Sequence, residues 1–208
     1  MKKRLSAIIS LIPQCDSLAD VGCDHGYIGA EALASGIAKI VQFCDISEAS
    51  LNKARKECER RGLFEADFFC VNGLEGIETE VAVIAGMGGL EIIDIVNNAD
   101  TLPEVLVLQP MKNAGEVRIA LMDRYFIEKD FTVAEGRRFY TVMKLVRGKD
   151  RLSEREIMFG KTDLAEMGKD FRAFLDKEKL KCEEILSETK NAPEIAEYYK
   201  AVTELTEK

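Results

Sequence analysis

The chain has 208 residues, 47% of them hydrophobic and 32% charged, with a formal net charge of −8. That length and apolar share support a buried core and one domain of about 150 residues with an appendage, and no run approaches the roughly 18 consecutive apolar residues that span a bilayer. An acidic chain is a poor indiscriminate binder of nucleic acid, which needs clustered Lys and Arg, although a local basic patch remains compatible with it.

The opening stretch MKKRLSAIISLIP places three basic residues before an apolar run, but no A-x-A-like cleavage site follows it. Leu5, Ile8, Ile9 and Ile12 recur at helical spacing and predict an amphipathic helix packed on the domain. Short apolar runs then alternate with helical patterns. SLADVG (17–22), KIVQFCD (39–45), ADFFCV (66–71), EVAVIAG (80–86) and EVLVLQP (104–110) are separated by amphipathic segments near 28–35, 48–61, 89–97 and 114–124. Strand and helix in this alternation predict a parallel sheet covered on both faces. The helix over 48–61 is the best marked, with Ser47 as N-cap and Gly62 as its stop.

After Tyr125 the pattern changes. FTVAEG and RFYTVMKLVRG read as two strands around a tight turn at Gly136, so the sheet is expected to finish in an antiparallel hairpin. From about Leu152 the chain is helical and charged. Phe171, Phe174, Leu175, Leu180, Ile185 and Leu186 follow one face, Asn191-Ala192-Pro193 interrupts it, and Ile195, Tyr198, Tyr199, Val202 and Leu205 resume it. That pattern predicts a helical hairpin in the form of a short antiparallel coiled coil. The expected organisation is an α/β, Rossmann-like domain over 1–150 and a helical domain over 151–208.

Six cysteines show neither C-x-x-C pairing nor a second histidine nearby, which argues against zinc; no metal site is expected. Cys44 and Cys70 fall inside predicted strands and read as small buried hydrophobes of a reducing compartment, which points to the cytoplasm.

In a doubly wound sheet, ligands lie beyond the C-terminal ends of the strands. The first such end carries DVGCDHGY (20–27). Asp20 can order the loop by accepting its N–H groups, and Gly22 and Gly26 allow close backbone approach. The spacing is the acidic-Gly-x-Gly-x-Gly loop of S-adenosylmethionine enzymes with Asp24 in place of the middle glycine. It lacks the G-x-G-x-x-G of a dinucleotide fold, and no Walker lysine is present. At the second strand end Asp45, followed by Ile46, stands about where an acidic side chain accepts ribose hydroxyls. The third strand ends in Asn72-Gly73, where an amide oxygen is placed to accept from an adenine amino group. The fourth runs into IAGMGG, leaving Gly86, Gly88 and Gly89 bare beside Met87. The fifth ends in LQP, where Gln109 is a candidate reader of an amide or a base edge and Pro110 stiffens the rim.

Taken together, DVGCDHGY, IAGMGG, LQP, Arg118 with its helix and the C-terminal helical hairpin resemble the bacterial tRNA (adenine-N1)-methyltransferases that modify adenine 22 of the D-arm, over essentially the whole chain. Two positions depart from that family's pattern: Asn72 replaces its usual aspartate, and Met111 its usual asparagine after LQP, with Asn113 nearby as a substitute. The resemblance implies S-adenosyl-L-methionine as cofactor, tRNA as partner, and a monomer or weak dimer. It implies cofactor contacts from Asp20, Gly22, His25, Gly26, Asp45, Ile46, Asn72, Gly73 and Gly86. Substrate contacts are expected from Tyr27, Met87, Gly88, Gln109 and Pro110, with Tyr140 able to stack and Arg137 and Arg138 leading the basic candidates, which include Lys2-Lys3-Arg4, Lys144 and Arg147.

Methylation at N1 creates a positive charge on the base, so a nearby carboxylate would stabilise the transition state. Asp24 is the expected catalytic residue. N1 lies on the Watson–Crick edge, so the nucleotide must also leave its stack. Two other readings remain open: another acceptor, N6 of adenine or a protein side chain, and a catalytically silent RNA-binding relative.

Overall fold

The computed structural model describes residues 2–189 and 192–207, so Asn191 of the predicted break lies outside the described residues. Among the described residues seven strands form one sheet in the order β3-β2-β1-β4-β5-β7-β6. β1 (Cys15–Val21), β2 (Ala38–Asp45), β3 (Ala66–Cys70), β4 (Val81–Met87) and β5 (Val105–Pro110) pair in parallel. β6 (Tyr125–Glu135) and β7 (Arg138–Arg147) form the antiparallel hairpin, with β7 against β5.

The central strands are apolar on both faces because helices cover both. Neighbouring residues therefore serve different cores: Phe43, Val83 and Val107 join Ile8, Ile28 and Leu51, while Cys44, Ile84 and Leu108 join Ile92, Val117 and Leu121. The first core is closed by α1 (Lys3–Leu11), α2 (Tyr27–Ala34) and α3 (Glu48–Arg61), the second by α4 (Gly89–Asn97) and α5 (Ala114–Leu121). Helix α3 follows its predicted bounds, with the Ser47 hydroxyl accepting from the Ser50 N–H at 3.4 Å and Gly62 ending it at φ 70°.

Two sequence expectations need correction. β6 begins at Tyr125, ahead of FTVAEG, because Tyr125 and Ile127 point inward and a register shift between Ile127 and Lys129 carries the strand past a charged stretch. Cys70 is exposed, since β3 is the sheet's edge.

The region after 150 holds four helices, α6 (Glu154–Phe159), α7 (Lys161–Glu166), α8 (Lys169–Glu188) and α9 (Pro193–Thr206), of which the last two pack together as the predicted hairpin. Phe159, Phe171, Leu175, Val202 and Leu205 form its core. Leu180 stands out in solvent, and Cys182 takes the buried position on α8 instead.

A polar seam fastens these helices to the sheet. The buried Arg118 guanidinium on α5 donates through Nε to Asp130 Oδ2 at 2.9 Å and through Nη1 to the Ile157 carbonyl at 2.8 Å. Asp130 exchanges bonds with Thr162, accepting its N–H and donating its own N–H to the hydroxyl, each at 3.0 Å. Thr132 donates to Asp163 at 2.6 Å. Burial pushes the Asp163 carboxyl up to about 6, against the Thr132 hydrogen bonds.

Candidate active site

The C-terminal ends of β1 and β4, the start of α2 and the N-terminal part of α1 enclose a cavity of about 920 Å³. That is near the top of the roughly 300–1,000 Å³ range of ligand pockets, room for a nucleoside-sized cofactor and part of a second ligand. Asp20, Gly22, Asp24, His25, Tyr27, Gly86 and Met87 all line it.

The first loop is built by backbone geometry. Gly22 and Gly26 have φ 65° and 66°, and Asp24 between them has φ 44°, a conformation that L side chains rarely adopt. The N–H groups of Gly22 and Cys23 both reach the Cys44 carbonyl, at 2.8 and 3.2 Å, stitching the turn to β2. Asp20 accepts the Gly29 N–H at 2.9 Å from inside the core and so fixes the entry into α2. Burial holds its carboxyl well above the usual range, up to about 7; the Gly29 hydrogen bond opposes the shift and the charge of Asp45 adds to it.

Asp45 joins the first two strand ends. Its carboxylate accepts the Asp24 N–H at 3.2 Å through Oδ2 and the Ser47 N–H at 2.9 Å through Oδ1. Each oxygen keeps a further acceptor position. Ile46 beside it is 75% exposed. Asn72 is exposed at the next strand end, and Gly73 is held at φ 64° with the Ile95 side chain where a Cβ would project. These four residues lie along the same sheet edge but outside the cavity lining.

Several expectations are revised by the geometry. Gly26 does not face the cavity: a Cβ there would stand 2.7 Å from Ala54 and 3.0 Å from Phe43, so this glycine lets the loop seat on the core. Gly88 caps α4 outside the cavity lining. Gln109 is fully buried and cannot meet a base edge; its Nε2 donates to the Pro110 carbonyl at 3.1 Å and its Oε1 accepts from Arg4 at 2.9 Å. Pro110 is buried too, and the residue after it, Met111, lines the cavity mouth.

Asp24 lines the cavity with its carboxylate already paired. Its side chain is 57% exposed and its Oδ1 lies 2.6 Å from Lys53 Nζ on α3, while Oδ2 is 3.7 Å from His25 Nε2. The His25 ring stacks on Tyr27 with centroids 5.2 Å apart and planes 2° from parallel, a flat aromatic step at the cavity rim. Arg137 and Arg138 are exposed at the tip of the β6–β7 hairpin, which lies on the same edge of the sheet as the cavity because β6 runs parallel to β5. The sequence groups Arg4 with Lys2 and Lys3 as a basic candidate for holding RNA; in the structure it lines the cavity and its guanidinium stands 5.1 Å from the Tyr140 ring centroid.

Sheet order, glycine loop and cavity are those of a Rossmann-like methyltransferase. Residues 1–143 match the family model described as a methyltransferase domain. Sp1610 of Streptococcus pneumoniae, provisionally named a tRNA (m1A22) methyltransferase, superposes with a TM-score of 0.91 at 30% identity, covering 99% of both chains. Its complex with S-adenosyl-L-methionine superposes at 0.90 with 29% identity, again over 99% of both chains. The tRNA (adenine(22)-N(1))-methyltransferase of Bacillus subtilis is 31% identical over 144 residues, 62% of this chain and 60% of that protein. The chain belongs to this family of bacterial tRNA (adenine(22)-N(1))-methyltransferases.

Among the described residues no helix is long and apolar enough to cross a membrane, and no cluster of three or more His, Cys, Asp and Glu could hold a metal ion.

Proposed function

We propose that this protein transfers a methyl group from S-adenosyl-L-methionine to N1 of adenine 22 in tRNA. The observation that carries the reading is the cavity at the ends of β1 and β4, lined by Gly22, Gly86 and the buried Asp20. Those groups suit the cofactor: glycines admit a close approach, and a carboxyl held near neutrality by burial gains by ionising beside a cation.

Bound there, the cofactor supplies an electrophilic methyl group, whose carbon–sulfur bond breaks toward sulfur as the adenine N1 lone pair bonds to carbon. The chain's own residues orient and shield the reactants. Asp20 and the Gly22 loop hold the amino-acid half, and Asp45 with Ile46 and Asn72-Gly73 hold the adenosine half. The stacked His25–Tyr27 step receives the target base, which must be turned out of the RNA. Arg137 and Arg138 contact the RNA backbone beside it. Asp24 contributes negative potential where the base becomes cationic, tempered by Lys53. Residues 1–150 form the catalytic domain and 151–208 a helical one, in a cytoplasmic protein acting as a monomer or weak dimer.

The test is incubation of unmodified tRNA with the protein and S-adenosylmethionine, followed by nucleoside mass spectrometry and mapping of the modified position. N1-methyladenosine at position 22 is expected. N6-methyladenosine, or no methylated nucleoside, would overturn the assignment.

A further inference from the structure

We propose that Arg4 holds an oxyanion of the bound reactants, either the carboxylate at the amino-acid end of S-adenosylmethionine or a phosphate of the target nucleotide. The inference rests on the functional reading above and adds to it a ligand-holding residue from α1.

Arg4 is half-buried in the cavity wall, and the partners of its guanidinium are uncharged. Nη1 donates to Gln109 Oε1 at 2.9 Å, and the group lies over the Tyr140 ring. Among the described residues no carboxylate comes within salt-bridge distance of the guanidinium, and Nε is buried with no hydrogen-bond partner. The nearby carboxylate of Glu135 is engaged elsewhere, accepting the backbone N–H of Arg4 at 3.0 Å. Of the neighbouring cations, Lys3, Lys53 and Arg61 each have a carboxylate partner, while Lys2, also on the cavity lining, is exposed to solvent.

A part-buried guanidinium is stabilised chiefly by an anion that its fork can meet. Arg4 is also held in place for that task, by Gln109 beneath it, Tyr140 beside it and Glu135 on its main chain. Its Nη1 stands 3.9 Å from where a Cβ of Gly86 would project, over the bare end of β4. A cation next to the adenine nitrogen being methylated would oppose the charge that develops there, so the partner is an oxyanion elsewhere on the reactants. Gln109 acts as a positioning residue through Arg4.

The test compares Arg4→Lys and Arg4→Gln with the parent protein, after thermal melts establish that each variant is folded. Calorimetry measures binding of S-adenosylhomocysteine, which has the carboxylate, and of 5′-methylthioadenosine, which lacks the amino-acid end. Steady-state methylation gives KM for tRNA. Loss of one charge-assisted hydrogen-bonded pair corresponds to roughly 10- to 100-fold in affinity. If the oxyanion is the carboxylate, binding of S-adenosylhomocysteine weakens by about that factor while 5′-methylthioadenosine is unaffected. If it is a phosphate, both small ligands bind as before, KM for tRNA rises by a similar factor, and the salt dependence of tRNA binding becomes shallower. Equal weakening of both small ligands, or no change in any of the three, overturns the proposal. A parent protein that binds neither S-adenosylhomocysteine nor tRNA overturns the functional reading itself, and the role of Arg4 with it.

Discussion

A Cβ on residue 22 would stand 1.9 Å from the Cε of Met87, so the thioether methyl lies directly on the bare main chain of Gly22. Two distant turns thus meet at the point where a ligand must pass. Met87 ends in a flexible chain that can swing aside, whereas the backbone of Gly22 at φ 65° has no such freedom.

Gly22→Ala should therefore cost about 1 kcal/mol of stability through backbone strain, seen as a drop of a few degrees in Tm, and should weaken S-adenosylhomocysteine binding at least tenfold in calorimetry. Met87→Ala in the same chain removes the collision but leaves the strain. Unchanged affinity in Gly22→Ala would mean that the loop does not approach the ligand.

The Asp24–Lys53 pair separates two roles for the carboxylate. If it supports the developing cation, Asp24→Asn should lower kcat about 100-fold with little change in S-adenosylhomocysteine affinity, and Lys53→Met, which leaves the carboxylate unneutralised, should keep or raise kcat. A fall in Tm with kcat intact would make Asp24 a loop anchor only. Rapid-quench methylation with saturating tRNA reads the chemical step.

Asp20 imposes a pH dependence. Its carboxyl is raised in the folded protein to about 7, so the folded state binds the extra proton between the ordinary carboxylate range and neutrality. The contribution to stability is fully present below pH 3.8 and is lost progressively as pH rises from there to about 7. Asp20→Asn should match the parent protein in stability only below the ordinary carboxylate pKa of 3.8, draw ahead of it progressively as pH rises toward 7, and stay ahead by up to a few kcal/mol above that, read as a Tm difference measured across pH. Binding of the cationic cofactor favours the ionised form, so near pH 7 it should release protons, measurable as calorimetric heats that vary with buffer ionisation enthalpy. Heats independent of buffer would count against that role.

The Arg118–Asp130 pair is fully buried, and removing one partner leaves an unpaired charge. Arg118→Met should cost about 3–5 kcal/mol, with Arg118→Met/Asp130→Leu recovering part of it in denaturant titrations. Gly160→Ala should also destabilise, since a Cβ there would come within 2.8 Å of Asp130 Oδ2 and 2.9 Å of Arg118 Nη2 at φ 95°. A single variant as stable as the parent would show that the seam is dispensable.

The sheet was legible because the apolar runs from 17 to 110 end at glycines, polar residues or proline, Gly22, Asp45 and Pro110 among them. The first loop was legible in DVGCDHGY for the same reason, since closely spaced glycines and acids after a strand have few other uses. What escaped notice is long-range. Lys53 reaches Asp24 across 29 residues and Arg4 reaches Gln109 across 105; a sequence shows the residue types but not which cation meets which partner. Gly26 was misread because facing a ligand and facing Phe43 demand the same absent side chain. β6 hid its first residues behind Glu128, Lys129 and Asp130, the last of which is buried because Arg118 neutralises it.

The antiparallel return of β7 has a consequence for how such a molecule can change. It brings the Gly136 turn to the rim shared by the strand-end loops, where the space beyond Gly136 is open to 4 Å, although its φ of 62° keeps that one position for glycine. The turn can therefore lengthen, or carry a probe, without repacking either core. It is the natural place to graft new recognition onto the mouth of the cavity while the rest of the architecture stays as it is.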